Sequence, residues 1–350
     1  MKKKTVLSFF IVLLIPLLLT AVFVIVIDPF FHYHGPIKGF PYVLSEERYQ
    51  NDGIVRHFDY EALITGASTT QNFRASDAER LFHKTTVKVC FAGATYKETD
   101  SIIRTALKAN KDLKLVIRGL DMTRISDDKD LMAYDEYPQY LYDRNPFNDY
   151  DYLFNKDVIK IIGEGFENLL KGKGPTDFDE YGSFAAGKTF SKEAVLAGYA
   201  RLSPEDYEPA PLSEEERTRI KQNVEQNIIE TAKSNPDVLF YVFVPPVSVC
   251  TWDALRITGG FESTLEALRY MYEMLLEVDN IRIFGFDDRI DITGDLDNYM
   301  DTVHFSPEIN ALILECMAAD EGLITKENID GYLATVRENY ENFDYDSLFE

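Results

Sequence analysis

A serine hydroxyl is a poor nucleophile at neutral pH. It needs a neighbouring base, itself held by a third group, before it attacks a carbonyl. Two segments far apart in this chain contain the residue types for such a relay. Ala62-Leu63-Ile64-Thr65-Gly66-Ala67-Ser68-Thr69-Thr70 reads as a buried strand that stops at Gly66 and delivers Ser68 on the following turn. Asp301-Thr302-Val303-His304-Phe305-Ser306-Pro307 places Asp301 three residues before His304, just ahead of a helix start. In that assignment Ser68 attacks, and His304 takes its proton as general base and returns it to the leaving group. Asp301 orients the imidazole and stabilises its charged form. Each residue also has a plainer reading. Ser68 can cap the helix after the strand, His304 can be a structural residue before a helix, and Asp301 can be a turn residue.

The elements that must position these residues follow a βα rhythm. Tyr60 to Gly66 reads as a first strand, Asp77 to Phe82 as part of a helix, and Thr86 to Phe91 as a second strand. Lys97 to Ala109 carries Ile102, Ile103, Ala106 and Leu107 on one stripe, which predicts a helix. Leu113 to Leu120 reads as a third strand. Strands alternating with helices predict a mainly parallel sheet in an α/β domain. Residues 122–212 break the rhythm and read as an insertion, dense in Tyr, Asp and Asn from Tyr134 to Phe154, that can serve as a lid. Ser213 with Glu214–Glu216 opens a helix to about Ser234. Val238–Val244 and Ile281–Phe286 read as the fourth and fifth strands, with a helix over Ser263–Leu276 between them. A last helix spans Ser306–Met317, with Ser306 as N-cap, Pro307 at the first helical position and Glu308 against the dipole. The acidic, aromatic stretch Glu338–Glu350 reads as a surface tail.

In open parallel sheets, sites form outside the carboxyl ends of the strands. Ser68, Gly93 and Asp121 follow three successive strand ends, so one rim collects them. Backbone N–H groups near Ser68 and Gly93 can hold an oxyanion, each such donor being worth about 3 kcal/mol of barrier. Gly93 is equally well explained by a tight turn.

The bulk composition bounds the rest. After Met1-Lys2-Lys3-Lys4, residues Thr5 to Ile27 carry no charge. That run is roughly 34 Å long as a helix and can cross a ~30 Å hydrocarbon core. It is longer than a signal-peptide apolar region, and Val22–Ile27 lacks a small-residue cleavage pattern. An uncleaved single span is the expectation, with the lysines cytoplasmic and everything after Asp28 extracytoplasmic. The net charge of −23 opposes binding to nucleic acid and other polyanions, and otherwise serves solubility. Cys90, Cys250 and Cys316 form no disulfide framework and no metal pattern. An exported chain with so few cysteines fits a bacterial envelope. His32, His34, His57 and His83 are scattered without a ligand-rich cluster, so no metal site is expected. The tyrosines 134, 137, 140, 142, 150 and 152 either stack on sugar rings or pack the insertion, and Trp252 lines either a cleft or the core.

These motifs resemble the SGNH/GDSL hydrolase superfamily, in its divergent membrane-anchored, acyltransferase-associated branch. The resemblance rests on Gly66-Ala67-Ser68 after a strand, on Gly93 in Phe91-Ala92-Gly93-Ala94, and on Asp301-Thr302-Val303-His304 with its trailing Phe305-Ser306-Pro307. It covers about 57–125 and about 236–320. It implies a three-layer α/β/α, flavodoxin-like fold for the domain read over 57–325. Hydropathy and composition set the rest: an anchor at 1–27, a juxtamembrane lead-in at 28–56, and a C-terminal helix and acidic tail at 326–350. It implies Ser68, His304 and Asp301 as catalytic residues, no cofactor, and removal or transfer of an O-acyl group on a cell-envelope glycan, often beside a membrane-bound O-acyltransferase. The alternative is a catalytically inactive module of the same fold that binds or scaffolds such a partner. One position departs from the family pattern. Its third block places an Asn oxyanion donor after the third strand, where this chain has Gly119-Leu120-Asp121. An ionised Asp121 repels an oxyanion; it can instead orient a neighbour, stay protonated or mark a changed activity, and Thr123 or Asn72 can donate in its place.

Overall fold

The computed structural model describes residues 2–134, 137–143, 145–203 and 210–350, with the side chains of 2–7 and 9 excluded. Met1 and the Lys2–Lys4 side chains, which carry the orientation expectation, lie outside the described residues. The chain folds as two compact units: residues 1–59 with 134–177, and residues 60–133 with 178–350. In the first unit are α1 (Lys2–Ile27) and α2 (Glu47–His57). The second unit opens with β1 (Ala62–Thr65), α3 (Ala75–Phe82), β2 (Thr86–Lys88), α4 (Tyr96–Ala109) and β3 (Leu115–Gly119). The chain then returns to the first unit for α5 (Gln139–Tyr142), α6 (Tyr150–Leu153) and α7 (Lys156–Leu170). The second unit resumes with α8 (Lys192–Gly198), α9 (Glu214–Val224), α10 (Glu230–Lys233), β4 (Leu239–Phe243), α11 (Val249–Ile257), α12 (Phe261–Leu275) and β5 (Ile281–Phe284). It ends with α13 (Ile290–Thr293), α14 (Pro307–Ala318), β6 (Leu323–Ile324) and α15 (Ile329–Glu341).

In the second unit a six-stranded sheet runs in the order β2-β1-β3-β4-β5-β6. The first five strands are parallel and β6 is antiparallel to β5. The fold is therefore mixed α/β with a mainly parallel sheet. The parallel strands are buried almost throughout, which is why they read as near-continuous apolar runs such as Leu115-Val116-Ile117. From β1 the chain steps to β2 at the edge and then crosses back over β1 to β3. Strand order reverses there, and a crevice opens at such a switch point beyond the carboxyl ends of β1 and β3.

Side-chain size at that crevice is tightly constrained. A Cβ at Gly66 would lie 2.8 Å from Thr70, and one at Gly119 would lie 2.5 Å from Thr70 Cγ2. Gly66 also has φ +151°, a conformation glycine adopts freely. The two glycines that end β1 and β3 thus vacate the volume that Thr70 fills, and Thr70 Oγ1 closes on the Ala67 carbonyl at 2.5 Å.

Several elements differ from the sequence-based expectations. The helix over 213–234 is continuous but widens into a π turn at Glu225–Ile229. That turn presents the Asn227 carbonyl to Arg118 Nη1 at 2.5 Å, which gives one partner to an arginine buried within β3. Ser306 is the N-cap residue of α14 with Pro307 next, as expected, but its hydroxyl makes no cap bond to the helix backbone. The stretch 338–350 is no loose surface tail: Tyr340, Tyr345 and Leu348 are buried, and Tyr340 stacks on Trp252 with centroids 4.4 Å apart. Trp252 is a core residue, fully buried. Its acidic neighbours in sequence masked an apolar stripe. All three cysteines are buried and outside disulfides.

Because Gly119 makes room for one methyl group, Gly119→Ala should destabilise the protein by about 1–3 kcal/mol. Thr70→Ser, which deletes that methyl, should recover part of the loss in the double variant. Urea unfolding followed by the single tryptophan, Trp252, checks both.

Candidate active site

The turn after β1 is the first component. Ala67 is extended, and Ser68–Thr70 form a 3-10 turn. Two polar side chains pin it. Lys88 on β2 is buried, and its Nζ donates to the carbonyls of Gln71 (2.5 Å), Phe73 (2.8 Å) and Asp179 (3.2 Å). Asn310 on α14 donates from Nδ2 to the Thr69 carbonyl at 3.1 Å.

The second component is the loop 299–306. Tyr299 bridges Phe305 in antiparallel fashion, the Met300 N–H donates to the His304 carbonyl at 3.0 Å, and the Ser306 N–H donates to the Asn298 carbonyl at 2.8 Å. At its tip the Thr302 carbonyl accepts three donors: Ser248 N–H (3.1 Å), Ser248 Oγ (2.8 Å) and Thr251 Oγ1 (2.7 Å). Ser248 and Thr251 lie at the start of α11, a helix the sequence reading did not separate from its surroundings.

These components meet. Ser68 Oγ lies 2.8 Å from His304 Nε2, and His304 Nδ1 lies 2.7 Å from Asp301 Oδ2. Asp301 Oδ1 accepts the N–H groups of Val303 and His304, both at 2.8 Å. Burial pushes the Asp301 carboxyl up, but the His304 ring and those two N–H groups outweigh it and hold the carboxyl below its ordinary range. An ionised Asp301 can only accept, so Nδ1 carries a proton, and in the tautomer with its single proton there Nε2 accepts from the Ser68 hydroxyl. Phe184 sets its ring edge-on to His304, with centroids 5.3 Å apart. Side-chain exposure is modest, 24% for His304 and 41% for Asp301.

The remaining candidate residues divide. The N–H groups of Ser68 and Gly93 find no acceptor among the described residues. Gly93 has φ +65°, so its turn calls for glycine whether or not the N–H serves a ligand. Asn72 is buried, and its Oδ1 accepts Ser183 Oγ and the Phe184 N–H, both at 3.1 Å, which fixes the amide and leaves Nδ2 without an acceptor among the described residues. Asp121 stands apart from the serine–histidine–aspartate chain. Its Oδ1 accepts the Thr123 N–H (2.9 Å) and hydroxyl (2.7 Å), capping the turn at Met122–Arg124. The tyrosines at 134, 137, 140, 142, 150 and 152 belong to the first unit, whereas Ser68, His304 and Phe184 belong to the second. Among the described residues no cluster of His, Cys, Asp and Glu has metal-binding geometry.

No family model and no curated protein matches the sequence. Among solved structures the chain is similar to one from Streptococcus pneumonia provisionally described as a platelet activating factor. The identity is 11% and the TM-score 0.38, over 78% of this chain and 91% of that one. A likeness of that strength carries no argument about activity.

The native Asp301 carboxyl lies below its ordinary value, so the stability it contributes is fully present above about pH 4. That stability is lost as pH falls through the native value. Asp301→Asn should flatten this part of the acid limb, read as Tm against pH from about pH 6 to about pH 3.

Proposed function

We propose that the protein is a membrane-anchored, extracytoplasmic serine acyl hydrolase or O-acyltransferase with Ser68 as nucleophile. The observation that carries this reading is the hydrogen-bonded series from Ser68 through His304 to Asp301. Ser68 Oγ attacks an ester carbonyl while His304 Nε2 accepts its proton. Asp301 stabilises the imidazolium. His304 then gives the proton to the departing alcohol, leaving an acyl-serine. A water or an acceptor hydroxyl, deprotonated by the same ring, releases the acyl group. The unpaired N–H groups of Ser68 and Gly93, with Asn72 Nδ2, are the candidate oxyanion donors. Asn72 takes the part that the family pattern gives to an Asn at position 121. The steps need only side chains and backbone of this chain.

The finer points follow the family resemblance. Right-handed crossovers would put α3 and α4 on opposite faces of the sheet, as in a three-layer α/β/α fold. The acyl carrier or acceptor would be a cell-envelope glycan, and a membrane-bound O-acyltransferase the partner. The anchor reading has independent support. Phe10–Ile27 is long and apolar enough to span a bilayer. Val24 also belongs to the buried core of the first unit with Phe30, Tyr152 and Ile162, so removing α1 would open that core.

A fluorophosphonate should label the full-length protein in detergent or nanodiscs, and Ser68→Ala should abolish labelling. Ester turnover in Ser68→Ala and His304→Ala should fall by roughly 10⁴-fold or more. Asn72→Ala should cost about 10²–10³-fold with labelling retained. A folded wild-type protein that neither labels nor turns over esters would favour the inactive binding module instead.

A further inference from the structure

We infer that the α6–α7 segment of the first unit seats in the lipid bilayer beside α1. The inference rests on α1 being a membrane span. Phe154, just after α6, lines one apolar groove with Leu14, Ile15, Leu17, Leu18 and Ala21 of α1. Those α1 residues lie six to thirteen positions before Ile27, the helix end. At ~1.5 Å per residue they sit roughly 9–20 Å inside the end of the span, within a ~30 Å hydrocarbon core. A groove at that depth is exposed to acyl chains. Phe154 shares it while remaining about half exposed.

The placement is rigid within this unit. Tyr152, two residues before Phe154, donates its hydroxyl to Asp28 Oδ1 at 2.7 Å and accepts the Phe30 N–H at 3.2 Å. Asp28 follows the last residue of α1, is fully buried, and also accepts the N–H groups of His32, Tyr33 and His34. Higher on the span, Phe166 of α7 stacks on Phe23 with centroids 6.3 Å apart.

The faces of α7 agree with an interfacial helix. Val158, Ile161, Ile162 and Gly165 are its buried stripe. Ile159, Phe166 and Leu170 form a second apolar stripe that the protein leaves exposed. Along the charged stripe beside it Lys160 pairs with Glu164 at 3.5 Å and Lys171 with Glu167, and exposed Lys156 at its start leaves the stripe with a small positive excess. Apolar bulk on one face and paired charge on the next is the pattern of a helix lying at the headgroup boundary. Leu170 and Phe147 are each 88% exposed, extreme for side chains of that size.

Full-length protein carrying an environment-sensitive fluorophore at Leu170→Cys or Phe147→Cys would be reconstituted in phosphatidylglycerol/phosphatidylethanolamine vesicles. The native cysteines are buried, and both sites are exposed enough to tolerate substitution. Leu18→Cys reports the span, and a free fluorophore–cysteine conjugate reports water. At both test sites the emission should shift to the blue and be quenched by brominated acyl chains far more than by aqueous iodide. Iodide quenching at Leu170 and Phe147 with lipid quenching at Leu18 overturns the inference and leaves the anchor standing. Iodide quenching at Leu18 overturns both. Protection from both quenchers at the test sites overturns the lipid assignment in favour of a protein neighbour in the groove.

Discussion

One packing constraint underlies the candidate site: the Thr70 side chain occupies space left by glycines at the ends of two adjacent strands. A side chain at either Gly66 or Gly119 would collide with it, and the Thr70 hydroxyl holds the Ala67 carbonyl from below. The turn bearing Ser68 is therefore stacked directly on the sheet at the switch point. Lys88 and Asn310 then bind carbonyls along the same turn from two sides. These contacts restrain the turn, and with it the Ser68 hydroxyl, from rigid elements.

The two units solve similar problems with the same device. In each, a carboxylate gathers backbone N–H groups from the residues just after it and adds one ring or hydroxyl contact. Asp301 collects Val303 and His304 and then the imidazole. Asp28 collects His32, Tyr33 and His34 and then the Tyr152 hydroxyl. Local collection of this kind costs little chain entropy, because the donors are only two to six residues away. In one unit it orients an imidazole. In the other it closes the end of a long apolar helix, where His34 also bonds the Ile25 carbonyl that the helix leaves unpaired.

The sheet was legible in the sequence because its strands are buried on both faces, and such strands appear as uninterrupted apolar runs. The spacing Asp-x-x-His was legible for a related reason: it encodes a local loop, with both partners inside one turn of chain. What lay hidden was long-range. Nothing in the sequence tells that Thr302 is clamped by Ser248 and Thr251, or that Phe184 reaches the imidazole. The aromatic segment 134–154 read as an insertion in one domain, yet it folds with residues 1–59. Its tyrosines are partners for Asp28 and Arg48, contacts that a one-dimensional reading of an aromatic-rich stretch has no means to assign.

Asp121 limits what the site can accept. It follows β3 at the rim, and its carboxylate is turned onto Thr123 by two hydrogen bonds. A negative group fixed at the rim, in a chain of net charge −23, raises the cost of bringing an anionic ester close. Neutral esters carry no such penalty. The electrostatics of the rim thus favour uncharged molecules over anions.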